Sequence, residues 1–199
     1  MNLPNKLTIL RIILTPVFLL LLILEFPHHT LIALLVFILA SVTDMIDGNY
    51  ARNHNMVTNF GKFLDPLADK MLTTAAFLGF MQLKIGYGII WITFIILFRE
   101  FLVSSIRLVA VSSSGKVIAA NTYGKIKTVT QMVGVIFGLT VSYLTFLDQT
   151  YFNCVLKNLN IILVLNITVS VILWASAVLT VISGIIYLLE NKKLIDSKQ

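Results

Sequence analysis

Asp44-Met45-Ile46-Asp47-Gly48-Asn49-Tyr50-Ala51-Arg52 and, after eight intervening residues, Gly61-Lys62-Phe63-Leu64-Asp65-Pro66-Leu67-Ala68-Asp69 decide how this chain is read. The chain has nine acidic residues, and four of them fall within these 26 positions. All four lie on or beside apolar stretches that read as helices. An aspartate inside a bilayer costs about 2.5–3.5 kcal/mol on insertion scales, so it is kept for a reason. Four together also repel one another, and a bound cation is the natural remedy. Asp44 and Asp47 are three apart, and Asp65 and Asp69 four apart, so each pair shares one face of a helix. The polar connection Asn53–Phe60 folds the second of these helices back beside the first. The donors are all oxygen, which suits Mg²⁺, Mn²⁺ or Ca²⁺ rather than zinc. His54 is read as a solvated loop residue. Gly48 and Gly61 have two readings: close approach of a ligand to the backbone, or tight helix packing.

Outward from this stretch, the chain is unusually apolar. Of its 199 residues, 58% are hydrophobic and 12% charged, against about 45–50% and about 25% in a soluble domain. The apolar residues come in runs of roughly 20, the length that crosses a bilayer core. Cys154 is the one cysteine, which excludes an intrachain disulfide. The net charge of +6 belongs with topology and anionic headgroups rather than nucleic acid, because the basic residues flank apolar spans. Lys6, Arg11 and Pro16 argue against a cleaved signal peptide at the start.

The pattern predicts an all-α, polytopic membrane protein, a single domain over 1–199. It has six transmembrane helices at about 7–25, 30–52, 63–83, 87–110, 124–147 and 160–190. With the N-terminus inside, Lys6, Arg11, Arg52, Lys62, Lys70, Arg99, Arg107, Lys116, Lys125, Lys127, Lys192, Lys193 and Lys198 gather on the cytoplasmic side. Only Lys84 and Lys157 remain outside. That asymmetry places both termini, and the acidic stretch, at the cytoplasmic face of the cell membrane. The segment Asn2–Thr15 is read either as the wet end of the first span or as lying along the interface. Gly134 and Gly138 form a small-xxx-small pair that permits close helix contact, within one chain or between two.

Together the residues spell Asp44-x2-Asp47-Gly48-x2-Ala51-Arg52-x8-Gly61-x3-Asp65-x3-Asp69. This resembles, at every position, the signature of the CDP-alcohol phosphatidyltransferase family. The resemblance implies that Asp44, Asp47, Asp65 and Asp69 hold one or two Mg²⁺ (or Mn²⁺) ions on the pyrophosphate of a CDP-linked donor. It implies that Gly48, Ala51, Arg52 and Gly61 line the cytidine and phosphate pocket, with Asp44, Asp47 and Asp65. Asp69 would be the general base on the acceptor hydroxyl, and the enzyme a homodimer. The chemistry is consistent: two metals stabilise both attacking and leaving oxygens, and an acceptor hydroxyl needs a base within hydrogen-bond reach.

The second half carries Arg99-Glu100, Arg107 and Gly124-Lys125-Ile126-Lys127-Thr128 with Gln131. Arginine and lysine beside an acidic metal site suit an anionic acceptor, so Arg107, Lys125, Lys127 and Lys62 are candidates for its phosphate. The positive-inside rule also accounts for each singly, and Arg99 beside Glu100 is also readable as an internal ion pair. These stretches resemble the branch of the family that joins CDP-diacylglycerol to sn-glycerol 3-phosphate. Other acceptors of the same family are alternatives. An ion transporter is the reading from another class, disfavoured because only one segment is rich in acids and no broken counterpart appears in the second half.

Overall fold

The structure, a computed structural model, describes residues 3–53, 59–114 and 122–190. Side chains are described for these except at 3, 4, 44–53, 59–63, 65, 66, 69, 107–114, 122 and 123. Six long helices and one short one run α1 Leu3–Ile23, α2 His29–Asn53, α3 Asn59–Leu83, α4 Ile89–Ser114, α5 Thr122–Thr150, α6 Val155–Asn158 and α7 Ile161–Glu190. The six long ones match the six expected stretches within four residues at every edge.

Among the described residues, four stretches are long and apolar enough to cross a membrane: Asn5–Ile23, Ile89–Ile106, Gly124–Thr150 and Ile161–Glu190. The apolar part of α2, His29–Thr43, is shorter. Only 28–33% of each long stretch is fully buried inside the molecule, and each carries large apolar side chains on its outer face. Leu20, Leu35, Trp91, Phe94, Phe98, Phe101 and Val178 are among the exposed side chains. In water such a surface would be a severe liability; against lipid tails it is the ordinary solution.

Helix α1 packs along both α2 and α3, while α7 packs against α5 and α4. Phe18, Phe37, Phe77, Phe80, Ile92, Leu139 and Leu173 form the shared core, with Phe18 and Phe37 tilted at 5.4 Å between ring centroids. Asn5, Thr8, Arg11 and Thr15 repeat at three- and four-residue spacing along α1, and all four are buried. The hydroxyl of Thr15 donates to the Arg11 carbonyl at 2.9 Å. From Leu3 the described chain is thus helical, and it turns these four side chains inward while Lys6 stays exposed.

The turns at one end are closed by backbone geometry. Lys84 ends α3 with φ +55°, and the Ile85 N–H reaches the Phe80 carbonyl at 2.9 Å. This is the left-handed cap with its six-to-one hydrogen bond. Two further bonds tie the turn to α7: Tyr87 N–H donates to Ser170 Oγ at 2.9 Å, and Trp174 Nε1 donates to the Tyr87 carbonyl at 3.0 Å. Gly88 sits between them with φ +73°, where a Cβ would lie 3.1 Å from Trp174 Cζ2. At the α5–α6 junction the buried Asp148 carboxylate accepts from the N–H groups of Leu156 and Lys157, at 2.9 and 3.0 Å. Helix α6 lies inside what the sequence offers as a plain connection.

The glycine pair of α5 works within one chain. A Cβ on Gly134 would stand 2.9 Å from Leu173 Cδ2 of α7, and one on Gly138 would stand 2.7 Å from the Phe80 ring of α3. Phe80 is fully buried, so it has nowhere to retreat. Gly138→Val is therefore expected to lower stability by about 2 kcal/mol through overpacking, read as a fall in the thermal-unfolding midpoint in detergent. Ser105→Ala, on an exposed side chain, should shift it by no more than about 0.5 kcal/mol.

Candidate active site

The acid motif falls on two helix ends. Asp44, Asp47, Gly48, Ala51 and Arg52 occupy the last turns of α2, and Gly61, Lys62, Asp65 and Asp69 the first three turns of α3. Both acid pairs are therefore on continuous helix, as their spacing requires. The intervening positions 54–58, His54 among them, lie outside the described residues, but five residues reach across about 20 Å at most. The two acid-bearing ends consequently sit at the same end of the molecule, with α1 packed along both helices. The side chains of these nine motif residues lie outside the described set, as does that of Arg107 on α4. Their donor chemistry is still informative: a set of carboxylate oxygens fits a hard divalent cation.

Directly beyond Asp69 the described side chains begin a second polar centre, built around Glu100. Lys127 of α5 is 5% exposed and closes a short ion pair with Glu100 Oε1. Lys70 of α3 lies 3.8 Å from Glu100 Oε2 and 3.4 Å from the Glu100 carbonyl, and it contacts Ser104 Oγ. Ser104 in turn donates to the Glu100 carbonyl at 2.6 Å. Arg99 Nη1 lies 3.4 Å from Glu100 Oε1, while Nη2 donates to Ser183 Oγ of α7 at 2.6 Å. Gly184 lets α7 come this close, since a Cβ there would stand 3.0 Å from Arg99 Cγ. One turn above Lys127, Gln131 donates to Thr180 Oγ1 at 3.2 Å, linking α5 to α7.

Of the basic residues singled out in the sequence, Lys127 is thus buried and paired with Glu100, and Lys125 is exposed. Lys62 lies on α3. The Arg99–Glu100 ion pair is present, but Lys127 makes the closer contact. Sequence reading missed Glu100 as a junction of three cations from three helices, with Lys70 the residue next to Asp69. It also missed the buried row Asn5, Thr8, Arg11 and Thr15. Its three- and four-residue spacing on an apolar helix is the signal that was there to be used.

Comparison with known proteins addresses the chain as a whole. A sequence model of the CDP-alcohol phosphatidyltransferase family matches residues 1–182. The chain is 39% identical over 202 aligned positions to the CDP-diacylglycerol–glycerol-3-phosphate 3-phosphatidyltransferase of Bacillus subtilis (strain 168), covering 96% of this chain and 95% of that one. It is 40% identical to the enzyme of the same name from Rickettsia bellii (strain RML369-C), with 96% of each chain covered. A probable phosphatidylglycerophosphate synthase of Mycobacterium tuberculosis (strain CDC 1551 / Oshkosh) is 38% identical, over 94% of this chain and 79% of its own length. With its acid pairs on two helix ends and its relatives matched nearly end to end, this chain belongs to the CDP-alcohol phosphatidyltransferase family.

Proposed function

We propose that the protein transfers the phosphatidyl group of CDP-diacylglycerol to sn-glycerol 3-phosphate, giving phosphatidylglycerophosphate and CMP. The observation that carries this reading is the four-acid motif on the adjoining ends of α2 and α3, in a chain whose relatives bear that activity in their names. Enzymes of the family generally use divalent metal ions. Asp44, Asp47, Asp65 and Asp69 are the residues that would hold one or two of them, as Mg²⁺ or Mn²⁺. When bound, such ions neutralise the pyrophosphate of the donor and stabilise the departing CMP oxygen.

The protein's own groups account for the rest. Gly48, Ala51 and Gly61 leave room for the donor against the helix backbone, and Arg52 offers a paired hydrogen-bond donor to phosphate. Asp69 takes the proton of the acceptor hydroxyl as its oxygen attacks the phosphorus. The new P–O bond forms as the bond to CMP breaks, without a covalent enzyme intermediate. Arg107, Lys125, Lys127 and Lys62 are assigned to the phosphate of the acceptor, which is what distinguishes it from a neutral alcohol. The six long helices are read as six spans, with both termini and the site at the cytoplasmic side of the cell membrane. There the lipid donor and the water-soluble acceptor meet. The functional unit is read as a homodimer.

Purified protein in detergent, given CDP-diacylglycerol and Mg²⁺, is expected to release CMP with glycerol 3-phosphate. It should not do so with serine, inositol phosphate or phosphatidylglycerol. Release with one of those instead would keep the family and change the acceptor. Asp69→Asn should lower turnover by about 10³-fold, within the range general-base catalysis contributes, while binding of the CDP-lipid survives; unchanged turnover would remove Asp69 from its role. For topology, Asn55→Cys in a Cys154→Ser background should be labelled by a membrane-impermeant thiol reagent only from the cytoplasmic side, and labelling from outside would invert the orientation.

A further inference from the structure

Three cations from three helices converge on one half-buried carboxylate. Lys70 comes from α3, Arg99 from α4 itself and Lys127 from α5, all on Glu100. A structural ion pair needs one partner, and a buried pair is by itself weak ground for stability. What the arrangement does provide is registration. Lys70 follows Asp69 directly in α3, so holding Lys70 against the Glu100 carboxylate and carbonyl and Ser104 sets the roll and height of α3 at the proposed base. Lys127 is proposed to hold the acceptor phosphate, and it extends to the other side of the same carboxylate. Lysine is a flexible four-carbon stem ending in a point charge with three donors. Its contact with Glu100 directs that charge.

We infer that Glu100 is a positioning residue for acceptor phosphate, joining the helix of the base to the helix of the phosphate handle. The carboxylate touches no reacting atom. It acts through Lys127 and Lys70, and its loss is felt at the acceptor before the donor. This rests on the assignment of Lys127 to the acceptor phosphate, so the experiment separates the two. Arg99 shares Oε1 with Lys127 and is itself anchored to Ser183 of α7, which preserves packing when the charge alone is removed.

The test is steady-state kinetics of the full chain in detergent, for Glu100→Gln, Glu100→Asp, Lys127→Met and the double variant Glu100→Gln/Lys127→Met. Glu100→Gln is expected to raise the KM for glycerol 3-phosphate about tenfold, the scale of one charge-assisted hydrogen bond. The KM for CDP-diacylglycerol should stay within about twofold, and the double variant should be no worse than Lys127→Met, because coupled residues are not additive. Glu100→Asp, which restores the charge one methylene short, should recover part of the loss. If Glu100→Gln fails to accumulate as folded protein, the smaller rise in acceptor KM expected of Glu100→Asp carries the same comparison. Equal rises in both KM values, no rise in either, or multiplying effects in the double variant would overturn the inference and leave Lys127 in its role. An unchanged acceptor KM in Lys127→Met would overturn the assignment of Lys127, and the inference with it.

Discussion

The constraint behind this structure is the lack of water along the sides of the helices. Where each apolar stretch exposes large apolar side chains on its outer face, a polar side chain within it has to find its partner inside the molecule or on its own backbone. Both solutions are present throughout. Thr15, Ser41, Thr93, Thr140, Thr145 and Thr180 each donate a hydroxyl to the carbonyl four residues back. Other polar groups are gathered into a few meeting places, among them the row on α1, the centre at Glu100, the Gln131–Thr180 link and buried Asp148. Chemistry that needs charge is confined to the helix ends, where the acid motif lies, and the Glu100 centre extends it inward by way of Lys70.

The same constraint shapes the packing. Lipid tails are as apolar as leucine, so apolar side chains gain little by leaving them for each other, and helices associate through close fit and hydrogen bonds. Helix α7 shows this most clearly. Its buried face is Ser170, Ser176, Ala177, Thr180, Ser183 and Gly184 together with Ile162, Val169, Leu173 and Tyr187. Small residues let α7 approach both α4 and α5, and three of its hydroxyls are used as partners, by Tyr87, Gln131 and Arg99. A face of larger side chains would bury more area but would hold α4 off and leave Arg99 without Ser183.

Much of this was legible in advance. The helix count and edges follow from apolar runs of bilayer length, and family membership follows from eight fixed residues at fixed spacing in Asp44–Asp69. What could not be read were relations between helices. Lys127 looked like a basic residue near an anion site because, along the chain, nothing places it near Glu100, 27 residues earlier. Lys70 looked like one more positive-inside residue for the same reason. Gly134 and Gly138 announced a close approach without saying whether the neighbour was in the same chain; α7 and Phe80 of α3 supply the answer. The hydrophobic period does not foresee α6 either, since a four-residue helix held by Asp148 owes its existence to a buried carboxylate accepting two backbone N–H groups.

The two ends of the molecule are built on different principles, and the difference bears on the chemistry. At one end the turns are fixed by left-handed residues and cross-helix bonds: Lys84, Gly86 and Gly88 before α4, Asp148 beneath α6, and His28 whose Nδ1 lies 3.1 Å from Tyr143 Oη. None of these contacts involves the acid motif. At the other end the motif residues lie on helix, where a carboxylate's position is set by the axis and roll of its element. A site assembled from helix termini is only as precise as the registration of those helices. The tied turns hold each helix at its far end, which on α3 is about 20 Å from Asp69 at 1.5 Å of rise per residue, and a small error in angle grows over that distance. Precision at the motif therefore needs a second set of ties close to it. The contacts of Glu100 with Lys70 and Lys127, and of Arg99 with Ser183, are ties of that kind, and Lys70 is the residue next to the proposed base.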